Sequence, residues 1–86
     1  MIIFKIDVIS ELAKVGVNST VARNTGIFGQ ESFRKLRKGE TSITMDNLNR
    51  LCCILNMQPG DIIEYVESAE DNEKYRKKIP AKKTGH

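Results

Sequence analysis

Between Gly29 and Glu40 the chain reads GQESFRKLRKGE, which sets Arg34, Lys35, Arg37 and Lys38 into five consecutive positions with only Leu36 between them. Guanidinium and ammonium groups at this density suit a partner that carries many anionic charges along its length, and Arg pairs bidentately with phosphate. Gln30 and Glu31 stand just ahead of the run. The other chemically capable residues form no such group. Cys52 and Cys53 are adjacent and are the only cysteines, so neither a disulfide framework nor a four-ligand zinc site can be built within one chain. Packing outweighs redox chemistry for this pair, because Cys52 falls on an apolar helical stripe and a buried cysteine behaves as a small hydrophobe. Cys53 and Ile54 fall well off that stripe and are read as exposed, which fits a partner surface better than chemistry. His86 is the single histidine and ends the chain, so no metal site and no His-based catalysis can be assembled. Ser, Asp and Glu are scattered, and no glycine loop is spaced to cradle a phosphate. An enzyme, a cofactor and a small-molecule ligand are therefore not expected.

Charge is unevenly spread along the 86 residues, whose formal net charge is +3. Residues 23–38 hold Arg23, Arg34, Lys35, Arg37 and Lys38 against Glu31 alone, whereas residues 39–66 hold Arg50 against Glu40, Asp46, Asp61 and Glu64. A basic segment beside an acidic one orients a molecule in front of a polyanion. The length allows one small domain with a thin core. The opening MIIFKIDVI has no basic leader, and Lys5 and Asp7 interrupt an apolar run far too short to span a membrane, so a cytoplasmic protein is expected, with no membrane contact.

To position the basic run, the chain must build short helices. Asp7 can cap a first helix to about Val15, with Val8, Ile9, Leu12 and Val15 at helical spacing and Gly16 as its stop. Asn18 can cap a second over Ser19 to Asn24 or Thr25. Gly29 can cap a third, Gln30 to Lys38, closed by Gly39. Thr44 can cap a fourth, Met45 to about Leu55, whose stripe is Met45, Leu48, Leu51, Cys52 and Leu55. Pro59 suits the first turn of a short helix or turn in GDIIEYV. The leading IIFK is either a short strand or a hydrophobic strap. From Glu67 onward there is little to bury, and 67–86 reads as a charged, disordered tail behind a domain of 1–66. The fold class is thus all-α: a compact bundle of about five short helices with a possible N-terminal strand.

The second and third helices, with an apolar turn between them, form a helix–turn–helix by spacing. Phe33 and Leu36 share the core side of the third, and Glu31, Arg34, Lys35 and Lys38 fall opposite. Together with GVNST, SFRKLRKGE, NLNRLCCILNMQPGDIIEYV and the MIIFKID opening, this pattern resembles the Cro/C1-type (lambda-repressor-like) helix–turn–helix regulators, particularly their small single-domain branch, over about residues 1–66. Many such domains carry a small residue followed four positions later by a turn glycine. Ala22 and Gly26 offer that pair, but taking it as the register moves Phe33 and Leu36 one place out of step. An ungapped match from Gly16 to Leu36 keeps them in step and Gly29 at the cap, with Ile27 where the turn glycine usually sits, and that frame is preferred.

The resemblance implies a double-stranded DNA-binding transcriptional regulator, a repressor, that reads the major groove with residues 30–38. Carried over by position, Gln30, Glu31, Ser32, Arg34 and Lys35 are the base-reading residues, while Asn18, Ser19, Thr20, Arg23 and Lys38 contact phosphate. A homodimer on DNA is expected, because one helix reads only a few base pairs. The alternative is a protein-interaction module, such as an antitoxin-like or anti-repressor subunit, which would have no need of the basic residues. The plainest reading of the third helix remains a solvated face on which Glu31 and Lys35, at i and i+4, form a surface pair.

Overall fold

The computed structural model describes residues 1–80, so His86 and residues 81–86 of the expected tail lie outside the described residues. The chain runs β1 (Ile2–Phe4), α1 (Val8–Lys14), α2 (Ser19–Thr25), α3 (Gln30–Lys38), α4 (Met45–Leu55), α5 (Pro59–Ile62), β2 (Ile63–Tyr65) and α6 (Ala69–Lys74), and ends in a 3₁₀ turn, Arg76–Lys78. It is mostly helical, and side-chain caps start α1, α2 and α4 where the sequence expects them. Asp7 accepts from the Ser10 N–H at 3.1 Å, Asn18 from Val21 at 2.8 Å and Thr44 from Asn47 at 3.1 Å. Gly39, at φ 76°, closes α3.

The amino-terminal apolar segment is a strand. Ile2 pairs with Tyr65 and Phe4 with Ile63 in an antiparallel two-stranded sheet. Its partner comes from a segment read as a short helix or turn only: Pro59 and Asp61 support a single turn, after which Ile63 and Tyr65, of high β propensity, extend. Backbone bonds from Lys5 N–H to the Ile62 carbonyl and from Val66 N–H to the Met1 carbonyl, both 2.8 Å, bracket this ladder. Both ends of the first sixty-odd residues are thereby tied to one another, beneath which lies a core of Val8, Leu12, Val17, Ala22, Phe28, Phe33, Leu36, Leu48, Leu51, Leu55 and Ile62.

Three local differences from the sequence reading have physical causes. Gly26 adopts φ 71° as the left-handed cap of α2 and donates its N–H to the Ala22 carbonyl at 3.0 Å, so Ile27 is not the turn residue of the ungapped frame. Ala22 is buried and Gly26 caps α2, so the small-residue pair forms while Phe33 and Leu36 still face the core. On α4, Met45 is 78% exposed, because Cβ bonds tilt toward the helix start and carry the first side chain past the edge of the core. The buried stripe begins at Leu48, with Asn47 buried beside it, and Ile54, read as exposed, packs against the core with Ile27. Within the segment expected to be a disordered tail, α6 forms with none of its residues buried. Ser68 caps it, accepting from the Asp71 N–H at 3.1 Å, and Lys74 pairs with Glu70 at 3.1 Å and Lys77 with Glu73 at 2.7 Å. Acid at its start, base at its end and i, i+4 pairs make this helix, a pattern that hydrophobicity does not register.

Candidate nucleic-acid interface

α3 rests on the core through Phe33 and Leu36. The Phe33 ring meets Phe28 of the preceding turn with centroids 6.4 Å apart at 50°, and the Arg37 guanidinium carbon lies 5.5 Å from its centroid. This contact sets the roll of α3 about its axis. A cleft between α2 and α3 is lined by Ser19 and Arg23 on one wall and by Gln30, Glu31, Arg34 and Arg37 on the other.

Gln30 and Glu31 are exposed in the first turn of α3. The Arg34 Nε donates to Glu31 Oε1 at 3.1 Å and its Nη2 donates to Oε2, a forked pair on the helix surface. The hydrogen bonds from Arg34 hold the Glu31 carboxyl below the ordinary carboxylate range. Glu31 therefore pairs at i+3 with Arg34 and not at i+4 with Lys35. Lys35 turns away to donate from Nζ to the Ser42 carbonyl at 2.9 Å. Ser32 lies half-buried on the α4 side, where its Oγ accepts from Asn47 Nδ2 at 2.8 Å. Lys38 is exposed at the end of α3 and borders a depression shared with β1. On α2, Asn18, Ser19, Thr20 and Arg23 are all exposed, and Asn18 Oδ1 is occupied by its own cap bond.

The tertiary arrangement thus brings Ser19, Arg23, Gln30, Glu31 and Arg34 to one cleft. It sets Lys35 and Lys38 on the far flank and turns Ser32 toward α4. Two further residues bear on this surface. Arg37 joins the cleft, and its signal in the sequence is the i, i+4, i+7 spacing of Gln30, Arg34 and Arg37. Arg50 of α4 donates from Nη1 to the Ile27 carbonyl at 2.5 Å while its Nη2 lies 2.9 Å from Asp46. Apart from its isolation as the lone cation of an acidic segment, nothing in the sequence marks it.

Among the described residues no group of His, Cys, Asp and Glu is placed to hold a metal ion, and no helix is long and apolar enough to cross a membrane. Cys52 is half-buried against the core and Cys53 is exposed.

A short helix capped by Asn18, a turn from Gly26 to Gly29 and a second helix with a basic exposed face make up a helix–turn–helix DNA-binding domain. Comparison with protein-family models matches residues 5–68 to the Cro/C1-type HTH DNA-binding domain, and the chain belongs to that family of DNA-binding regulators. Comparisons with curated proteins and with solved structures found no match.

Proposed function

We propose that this chain is a transcriptional repressor that binds a specific duplex site as a homodimer, with α3 in the major groove. The cleft between α2 and α3 carries this reading: Gln30, Glu31 and Arg34 present hydrogen-bonding groups at the open end of α3 beside Ser19 and Arg23 of α2. Gln30 and Glu31 are the base readers, with Arg34 and Lys35 able to reach a guanine edge once they exchange their present partners. Ser32, held by Asn47, contributes less to readout than its position in the helix implies. Asn18, Ser19, Thr20 and Arg23 lie against the phosphates on one side of the groove, and Lys38 against those on the other. Two copies are needed because a single short helix contacts few base pairs.

Selection of bound duplexes from a random pool tests the proposal. An inverted repeat is expected, with half-sites about 10 bp apart, one helical turn, and sedimentation should find two chains per site. One chain per selected site removes the dimer. A pool with no enriched sequence removes specific reading altogether and leaves the protein-interaction module.

A further inference from the structure

Two side chains of α4 reach across without lining the α2–α3 cleft, one to α3 and one to the turn before it. Asn47, 9% exposed, is the one buried polar side chain among the described residues, and it spends its Nδ2 on Ser32 of α3. Arg50 spans Asp46 and the Ile27 carbonyl, in the middle of the turn that sets where α3 begins. A turn carbonyl of this kind has no partner within either helix, and a charge-assisted donor that reaches it holds the turn at a fixed distance from α4. The Asp46 carboxylate, at i−4, keeps the guanidinium aimed along the helix.

We infer that Arg50 is a positioning residue for sequence readout: its bond to the Ile27 carbonyl sets the pose of α3 in the groove, with Asn47–Ser32 as the second tie. The inference rests on the DNA-reading proposal above. It separates two quantities that a phosphate contact would change together. Non-specific affinity comes from cations facing phosphate and is read in the salt slope, whereas discrimination needs base-edge atoms placed within hydrogen-bond tolerance. Arg50 acts on the second only.

The test compares Arg50→Met, Arg50→Lys and Asp46→Asn with the parent chain on a selected duplex and on a random one across a salt series. Arg50→Met is expected to lower affinity for the selected duplex about tenfold, the usual effect of one charge-assisted hydrogen bond, with random-duplex affinity and salt slope unchanged. Arg50→Lys keeps a donor for the carbonyl and should recover part of the loss, and Asp46→Asn should fall between parent and Met. In the free protein, amide resonances of residues 26–30 should shift in Arg50→Met and return toward parent in Arg50→Lys. Equal losses on both duplexes, with a salt slope lower by about one, would make Arg50 a phosphate contact and overturn the inference. So would an unchanged preference in Arg50→Met, or, if that variant does not fold, in both Arg50→Lys and Asp46→Asn. A parent chain with no preferred duplex would instead overturn the DNA-reading proposal itself.

Discussion

Gln30 and Lys38 sit at opposite ends of α3, and under the proposed function the difference in their surroundings separates reading from holding. Gln30 is exposed in the first turn beside the cleft, where a carboxamide can approach a base edge; Lys38 is exposed in the last turn, near β1. Gln30→Ala should weaken binding to a selected duplex by about 1–3 kcal/mol, relax the preference at one base pair and leave the salt slope unchanged. Lys38→Ala should weaken selected and random duplexes alike and lower the slope of log K against log salt by about one per subunit. Both side chains are exposed and neither belongs to the buried core, so circular dichroism of both variants should match the parent. A change in sequence preference from Lys38→Ala alone would place the groove-facing side of α3 elsewhere. Between these two residues the Glu31–Arg34 pair already satisfies itself, so a base that recruits either must first compete with the other.

At the scale of the elements, the two glycines that flank the turn do different jobs. Gly26 holds φ 71° with nothing within 4 Å of where a Cβ would stand, so the cost of a side chain there is backbone strain and not a clash. Gly29 sits at φ −66°, an ordinary value, and caps α3 without a side-chain bond. Gly26→Ala should therefore destabilise the domain by about 1 kcal/mol in urea denaturation. Gly29→Ser should stabilise it by a few tenths of a kcal/mol by supplying the missing cap acceptor. Destabilisation by Gly29→Ser would mean that the turn, and not the cap, decides that residue. The helix starts and stops were legible because each depends on one or two neighbouring side chains: Asp7, Asn18, Thr44, Gly39. The turn residue was not, because Ala22 with Gly26 and Gly29 with Phe33 and Leu36 pointed to different registers, whereas the fold accommodates both, with Gly26 at φ 71° and Phe28 packed on Phe33.

For the whole molecule, β1 and β2 pair residues 2–4 with 63–65, and the chain beyond β2 adds a helix none of whose residues is fully buried. We propose that residues 67–86 are dispensable for folding and add only non-specific affinity, since they carry six Lys and Arg against four acidic side chains. A chain ending at Glu67 should melt within a few degrees of the full chain and lose a little affinity for random duplex. A loss of helicity well beyond that of α6 and the 3₁₀ turn themselves would show that α6 braces the sheet, through Asp71, which lies 2.5 Å from the Met1 amino group.

The sequence by itself determined the helical class, the order and limits of α1 to α4, the basic character of α3 and the family. Apolar period, caps and charge runs are local properties that a linear chain displays openly. Tertiary structure alone decided the rest. It chose the strand pairing of Ile2–Phe4 with Ile63–Tyr65, because a ladder needs a partner some sixty residues away and neither strand advertises the other. It also divided the basic run, sending Arg34 to Glu31, Arg37 onto Phe33 and Lys35 to the Ser42 carbonyl. Finally it brought Arg50 to the Ile27 carbonyl, because the reach of a long side chain between packed helices is set by how those helices cross and by nothing in their own residues.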